Sequence, residues 1–395
     1  MTSGDLTGAA LDEWLSDHEE ELVAFRRHLH TYPERSGEEH ATTELIAERL
    51  RVAGLGSRVL SSGTGLLCDV GERPRVALRA DIDALGMADD KDVSYRSQHA
   101  GVAHACGHDV HTTIVLGAGL YLSHRWPADA PGVRLIFQPA EERVPGGALD
   151  VLADGGLDGV EAVFGLHCDP KLDVGRLGLR AGPITSAADM VTIRLGGPGG
   201  HTARPEMTVD LVTVAARMVA ELPGCVAGRF DDLGAVRLVF GAVHAGDAAN
   251  VIPAHAELRG SVRTPSTDVW DALPAAVDQE ARALAEGSGA EVAVHYTRGV
   301  PPVVNDAGAI EVARRAVERL LGSAAVTEAV QSWGGDDFAW FTQRVPSAYL
   351  RLGTHDPSEP GPRLDLHAGH FDVDERAIAV GIRVLVGTVE ERLTR

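Results

Sequence analysis

Amphipathic helical segments alternate with short apolar runs over the first part of the chain. Helical periodicity predicts helices at about 11–32 and about 38–52. Apolar runs of about four to eight residues between such segments are typical of buried parallel strands. Three of these runs, at 75–79, 133–137 and 162–166, lead into acidic residues or a histidine.

The polar residues that follow the three runs are Asp81 and Asp83, Glu141 and Glu142, and His167. Open α/β sheets bind their ligands beyond the carboxyl ends of parallel strands. We therefore expect these five side chains to meet at one edge of a parallel sheet. Because Asp81 and Asp83 are two positions apart, they share one face of an extended strand. Ligand, supporting and turn roles remain open for both.

The pattern changes between about 184 and 298. Apolar and polar residues now alternate, as in strands with one solvent-facing side. This alternation occurs at 190–195, 236–240, 256–262 and 291–296. Helical periodicity at 209–222 and 270–286 separates these strands, which predicts a small α+β domain with an antiparallel sheet. From about Pro302 the chain returns to the first pattern.

The predicted fold class is therefore α/β. A catalytic domain with a mostly parallel central sheet flanked by helices comprises 1–183 and 299–395, and an α+β domain at 184–298 is inserted into it. A chain of 395 residues is longer than one hydrophobic core usually serves, which agrees with two domains.

Composition narrows the classes of partner. The net charge of −21 disfavours nucleic acid and anionic membranes, both of which are bound through Lys and Arg, so we expect neither. The start of the chain lacks the basic and apolar regions of a signal peptide, and no uninterrupted apolar stretch approaches about 18 residues. Four scattered cysteines indicate a reducing compartment, so we expect a cytoplasmic protein.

The segment HACGHDVH at 104–111 concentrates side chains that bind metals. Together with His167 and the Glu141–Glu142 pair, it indicates a site for zinc, manganese, cobalt or nickel, which accept imidazole, thiolate and carboxylate ligands. Two other interpretations are a polar helix end and a nucleophilic Cys106 paired with a histidine. The nucleophile hypothesis leaves the two glutamates unexplained.

Adjacent carboxylates fit metal-assisted hydrolysis. A divalent ion beside one glutamate favours its ionised form, and the other glutamate can move a proton between water and the leaving group. His367 alone is a weak signal. Asp336 and Asp337 are equally consistent with the start of a helix.

Ten segments resemble the motifs of one hydrolase family. They are FRRHLHTYPE (25–34), LRADIDAL (78–85), HACGHD (104–109), FQPAEE (137–142), GLH (165–167), GGH (199–201), ANVIP (249–253), GSVR (260–263), GDDF (335–338), and LH before FD (366–372). The series resembles the amidohydrolase branch of the aminoacylase and carboxypeptidase G superfamily. This branch includes hippurate hydrolases, bacterial N-acyl-amino-acid amidohydrolases and plant auxin-conjugate hydrolases.

The resemblance implies a site with two divalent ions and a lid domain, the inserted one, through which the chain forms a homodimer. The implied metal ligands are Cys106, His108, Glu142, His167 and His367. Glu141 matches the general base, and Asp83 matches the carboxylate that steadies the site. His201 matches a lid histidine that polarises the scissile carbonyl and that the partner subunit supplies in dimeric relatives. Asn250 and Arg263 match lid positions that hold the substrate's carbonyl or carboxylate.

Two departures from the peptidase relatives favour the amidohydrolase branch. Asp81 stands where those relatives carry a histidine ligand, and the Cys-Gly-His segment at 106–108 lies where an aspartate bridges their metals. The leading hypothesis is thus hydrolysis of N-acyl or N-aroyl amino acids by a metal-activated water, with a small-molecule amide as the partner. The alternatives are a dipeptidase-like or aminopeptidase-like metallopeptidase and a non-catalytic metal-binding dimer.

Overall fold

The computed structural model describes residues 6–127, 129–231, 235–359 and 362–393. The chain forms two compact units. The first consists of Met1–Ile184, Val304–Val330 and Asp337–Arg395, and the second of Thr185–Val303 and Gln331–Asp336. The domain limits expected from the sequence remain a prediction.

Helices and strands alternate along the first unit, whereas strands predominate in the second. Within the described ranges the α-helices are α1 (Ala9–Thr31), α2 (His40–Val52), α3 (His108–Arg125), α4 (Ala148–Ala153), α5 (Leu211–Gly228), α6 (Thr267–Ala285), α7 (Ala307–Leu321), α8 (Ala339–Thr342) and α9 (Arg376–Leu393). The strands there are β1 (Ser57–Val59), β2 (Leu66–Val70), β3 (Glu72–Asp81), β4 (Pro131–Gln138), β5 (Ala162–Asp173), β6 (Leu177–Leu179), β7 (Gly182–Pro183), β8 (Ala188–Gly196), β9 (Gly200–His201), β10 (Arg237–His244), β11 (Val251–Ile252), β12 (His255–Arg263), β13 (Glu291–Val300), β14 (Val304–Asn305), β15 (Val326–Glu328) and β16 (Ser347–His355).

The first unit is built on a sheet in the order β1-β2-β4-β3-β5-β16-β6-β15. The four central strands β4, β3, β5 and β16 are mutually parallel. β1, β2 and β6 add antiparallel pairs, and β15 pairs in parallel with β6. The prediction of an α/β fold with a mostly parallel central sheet is confirmed.

The two faces of the central strands carry different residues. Leu78, Leu135, Phe164 and Leu350 point into the apolar core against the helices, since all four are fully buried there. The alternate positions of the same strands lie on the opposite face because successive strand residues point to opposite sides. That second face carries the polar residues of the candidate site.

The second unit contains the antiparallel sheet β10-β12-β8-β13. Residues of β8 alternate between buried and more exposed positions, as its sequence pattern predicts. The buried side chains of this sheet form one core with α5 and α6. The inserted α+β architecture is thus confirmed, with both helices contributing to one apolar layer.

By length and composition alone, α5 is apolar enough to cross a membrane. This is weak evidence, because core helices pass the same test. Leu211, Met218 and Leu222 on α5 are fully buried in the core of the second unit.

β5 is longer than the sequence pattern predicts. The apolar run ends at Leu166, but β5 continues to Asp173 because β16 pairs with it beyond that point. The pairing of β3 with β5 ends at Arg79 and Gly165. His167 therefore lies inside β5, just beyond the last residue that β3 covers.

Candidate metal centre

His108 begins α3, immediately after Gly107, whose φ of 85° is left-handed and suits glycine. A Cβ at position 107 would lie 2.7 Å from the Cys168 sulfur. The His108 Nδ1–H donates to Asp83, 2.9 Å from its backbone oxygen and 3.1 Å from its Oδ1. The ring therefore presents Nε2 away from Asp83, as in carboxylate–histidine–metal arrangements.

Asp83 connects two parts of the centre. Its Oδ2 accepts hydrogen bonds from the Ser36 hydroxyl at 2.6 Å and from the Glu142 backbone N–H at 3.0 Å. Burial opposes ionisation of Asp83, but the hydrogen bonds from His108 and Ser36 outweigh burial and lower its pKa. Asp83 thus orients His108 and fixes the backbone of Glu142 at the same time.

Cys106 and His167 lie beside His108. The Cys106 sulfur is 3.5 Å from His167 Nε2. His167 Nδ1 is 2.8 Å from the Cys168 backbone oxygen, to which it donates, so its Nε2 is left as the potential ligand atom. Burial, then the charge of Arg351, lowers the pKa of His167, so the imidazole is neutral, as ligation requires.

His367 and Glu142 complete the group. The His367 backbone N–H donates to the Ala105 oxygen at 2.8 Å, which holds His367 next to Cys106. His367 Nε2 lies 3.2 Å from Glu142 Oε1. His367 has a φ of 59° and Ala140, just before the glutamate pair, a φ of 53°. Such left-handed conformations at non-glycine residues often occur at functional sites.

The five expected ligands form two groups that share Cys106. Ligand atoms of Cys106, His108 and His167 lie within 4.8 Å of one another, and so do those of Cys106, Glu142 and His367. His108 Nε2 is buried and makes no hydrogen bond with any described residue. An orphaned buried nitrogen among thiol, imidazole and carboxylate groups fits a divalent metal ion.

Glu141 lies next to these ligands. A carboxylate oxygen of Glu141 is within 4.8 Å of ligand atoms of His108 and Glu142. Both glutamates are partly buried in the loop after β4. The structure therefore brings together all seven expected site residues of the first unit.

Ligand atoms of Asp81, His108 and His111 also lie within 4.8 Å of one another, but those of Asp81 and His111 already make hydrogen bonds inside the protein. Asp81 Oδ1 is 2.6 Å from His111 Nδ1, and Oδ2 accepts from Arg79 at 2.6 Å. His111 Nε2 accepts the Cys168 backbone N–H at 2.8 Å, which places the ring proton on Nδ1. Both nitrogens of His111 are thus used inside the protein. Of the roles left open for Asp81, the structure supports the one of a supporting group.

Three residues behind the site were not among the predicted site residues. Arg79 is fully buried and donates to Asp81, to Gln138 and to Asp337. The Asp337 carboxylate also accepts from the Gln138 amide and from the Ala148 backbone N–H at 2.9 Å. Asp337 therefore anchors the end of the loop that carries the glutamate pair. A charged residue within the apolar run 75–79 was the available signal, because a buried arginine needs partners.

His104 is not one of the candidate metal ligands. It is fully buried, and burial lowers its pKa to about 3. None of the three-residue ligand groups found in the described chain includes it. Nearby, Asp109 pairs with Arg26 at 2.8 Å and with His30 at 2.7 Å. The segment 104–111 therefore contributes two ligand candidates, Cys106 and His108. Asp109 and His111 pair within the protein, and neither ring nitrogen of His104 has a hydrogen-bond partner among the described residues.

His201, Asn250 and Arg263 all belong to the second unit. His201 is exposed on β9, which pairs with β11. The Asn250 backbone oxygen accepts a hydrogen bond from the Thr202 backbone N–H. The Ala203 backbone N–H donates to His201 Nδ1 at 3.0 Å, so the neutral ring carries its proton on Nε2. Arg263, at the end of β12, donates to the Trp333 oxygen at 3.4 Å, and burial lowers its pKa.

The fold and the ligand cluster define a metal-dependent hydrolase of α/β architecture. Residues 77–391 match the family described as Peptidase family M20/M25/M40. The chain belongs to this family.

Two curated relatives and one solved structure are similar to this chain. The chain is 35% identical over 367 residues to the N-acetyl-L-cysteine deacetylase of Bacillus subtilis, covering 92% of this chain and 86% of that protein. It is 44% identical over 385 residues to a Rhodococcus jostii protein whose name refers to a glutamate–cysteine ligase 2-3, covering 97% of this chain. It spans only 48% of that relative's length. The crystal structure of the Bacillus subtilis YXEP protein, described as a dinuclear metal binding peptidase, has a TM-score of 0.84 and 31% identity, covering 96% of this chain and 99% of that one.

Proposed function

We propose that this protein hydrolyses the amide bond of N-acyl or N-aroyl amino acids to a carboxylic acid and a free amino acid. The observation that carries the proposal is the pair of three-ligand groups that share Cys106, with the Glu141 carboxylate beside them. Two divalent ions held there would polarise the amide carbonyl and lower the pKa of a water molecule. The similarity to an N-acetyl-L-cysteine deacetylase supports the substrate class.

In this proposal Cys106, His108, Glu142, His167 and His367 hold the ions. Glu141 takes a proton from the attacking water and delivers it to the departing amine, as a general base and then a general acid. Asp83 keeps the His108 proton on Nδ1. A nucleophilic role for Cys106 is disfavoured because burial, opposed by His108, raises the pKa of its thiol.

For the second unit we propose three substrate contacts and a homodimer interface. His201 donates its Nε2–H to the carbonyl oxygen as negative charge develops there, consistent with the acceptor role of its Nδ1. Asn250 binds the same region of the substrate. Arg263 binds the carboxylate by a charge-assisted hydrogen bond.

Dipeptides are the second candidate substrates, because the YXEP protein is described as a peptidase. Asp81 argues against them. It replaces the histidine ligand of the peptidase relatives, and both of its oxygens are already paired with His111 and Arg79.

The test is hydrolysis of acetyl, benzoyl and long-chain N-acyl amino acids alongside dipeptides. Freshly reduced protein is assayed as isolated, after chelation, and after refilling with manganese, zinc, cobalt or nickel. We expect turnover of the N-acyl amino acids to disappear on chelation and return with metal. The matched control is Glu141→Gln, which should keep its metal and lose turnover. Turnover that survives complete chelation would contradict the proposal.

A further inference from the structure

Arg351 lies beside the candidate metal centre. On β16 it pairs in register with His167 on the parallel strand β5. Paired residues of neighbouring strands project from the same face of a sheet, so both side chains stand on the polar face. Tyr349 contacts both. Its ring centroid is 5.9 Å from the His167 ring and 5.7 Å from the Arg351 guanidinium carbon.

The Arg351 guanidinium has no carboxylate partner among the described residues. It is half-buried, yet it makes no hydrogen bond or ion pair with any residue in the described part of the chain. Half-buried arginines elsewhere in the first unit are paired, Arg134 with Asp69 at 2.8 Å and Arg180 with Glu328 at 3.5 Å. The lack of a partner is unusual in a chain with 57 acidic residues against 36 Lys and Arg.

A glycine lies beside Arg351 on the neighbouring strand. Gly178 pairs with Arg351 across β6 and β16, and a Cβ at Gly178 would lie 3.0 Å from the Arg351 Cβ. The same Cβ would lie 3.3 Å from the Cβ of Ala329. The five N–H donors of the guanidinium thus have no acceptor among the described residues, on a strand position paired with the candidate ligand His167.

We propose that Arg351 binds a second anionic group of the substrate, so that the protein prefers N-acyl amino acids carrying an additional carboxylate. This inference rests on the proposed hydrolysis of N-acyl amino acids. The additional carboxylate belongs either to the amino-acid side chain or to the far end of the acyl group. A guanidinium matches a carboxylate with two parallel hydrogen bonds, which gives selectivity over a neutral amide of the same shape.

The test measures binding by calorimetry to manganese-loaded protein in which Glu141→Gln prevents turnover. N-acetylglutamate is compared with N-acetylglutamine, and N-succinylalanine with its neutral terminal amide. With Arg351 present, we expect the acid of at least one pair to bind about 10- to 100-fold more tightly than the amide. Arg351→Gln should reduce that ratio to about one, and Arg351→Lys should restore part of it.

Arg180→Gln is the matched control, because it removes the same charge from a paired arginine in the same unit; it should keep the ratio. The proposal is overturned if the acid-to-amide affinity ratio survives Arg351→Gln, or if there is no preference for the acid with Arg351 present. It is also overturned if none of the four ligands binds. Turnover by protein that retains Glu141 is assayed separately. Loss of the proposed function with an intact Arg351-dependent ratio would leave the anion site standing.

Discussion

Two aspartate–histidine pairs lie side by side in the first unit, and their histidines differ in whether Nε2 is available to bind a metal. Asp83 receives the Nδ1–H of His108, and Asp81 receives that of His111. Asp81 ends β3 and Asp83 follows two residues later, so both pairs join this part of the chain to α3, and both histidines are buried. The difference lies at Nε2. In His111 it accepts the Cys168 backbone N–H, whereas in His108 it makes no hydrogen bond with any described residue.

The second ring nitrogen therefore decides which histidine can bind a metal. A carboxylate on one nitrogen orients the ring in both cases, but a ligand needs the other nitrogen free. Arg79 adds to the contrast, because it occupies the remaining oxygen of Asp81, while the remaining oxygen of Asp83 holds the Glu142 backbone. In the proposed mechanism one pair serves the metal centre, whereas the other joins β3 to α3.

The largest expected effect comes from exchanging the two histidines in turn for glutamine. His108→Gln should remove a metal ligand and lower kcat/KM by more than about 100-fold, exceeding the usual effect of losing a supporting partner. His111→Gln should leave the metal content unchanged. It should lower the free energy of unfolding by about 1–3 kcal/mol, because Asp81 and the Cys168 N–H lose a buried partner. Mass spectrometry measures the metal content of each variant, and urea unfolding measures its stability.

Equal loss of metal in both variants would remove the distinction between the pairs. Loss of metal in His111→Gln alone would show that the His111 pair, and not the His108 pair, supports the metal centre.

The aspartates should show a smaller difference in the same direction. Asp83→Asn should lower metal affinity or activity by about 10- to 100-fold, since the carboxylate orients His108. Asp81→Asn should preserve metal affinity and lower unfolding free energy by about 1–3 kcal/mol, because Arg79 keeps Asp337 as a partner. Competition with a fluorescent chelator measures the affinity, and urea unfolding measures the stability. A larger metal-affinity loss in Asp81→Asn would contradict the account.

The sequence predicted the layers of the fold well because buried parallel strands and half-exposed antiparallel strands have different apolar periods. It also predicted that the residues after β3 and β4 would meet near His167. The residue pattern alone could not distinguish His108 from His111, and only the family resemblance implied His108 as the ligand. Their roles depend on hydrogen bonds to Asp81, Asp83 and the Cys168 backbone, which no local spacing encodes.

Residues whose partners are remote in sequence were harder to place. Asp337 is consistent with a helix start, but its carboxylate accepts from Arg79, Gln138 and the Ala148 backbone N–H. Arg351 is a single charge within an apolar strand. Its position beside His167 follows from strand register, which single-sequence patterns do not determine.

The smallest predicted effect concerns protons. Burial, opposed by His108, raises the pKa of the Cys106 thiol, while interactions with Cys106 and then Glu142 raise the pKa of His367 to about 10. Burial opposes protonation of His108, but the charge of Asp81 raises its pKa as well. All three groups therefore favour their protonated forms without metal, and ligation must release protons. We expect net proton release on metal uptake at pH 7 and tighter binding as pH rises.

Rising pH has the opposite effect on the folding stability of the metal-free protein. A raised histidine pKa stabilises the metal-free fold fully below about pH 6.5, and this contribution is lost as pH rises through about 10. Calorimetry in buffers of different ionisation enthalpy counts the released protons, and His367→Gln should release fewer. Uptake of metal without proton release would show that the thiol or the imidazole is not a ligand.

The central claim is that Cys106 is shared by two metal sites, and anomalous X-ray diffraction from metal-loaded crystals tests it most directly. We predict two anomalous peaks, each about 2.3 Å from the Cys106 sulfur. One peak should also contact His108 and His167, and the other Glu142 and His367. A single peak, or a peak coordinated by His111 and Asp81, would contradict the account.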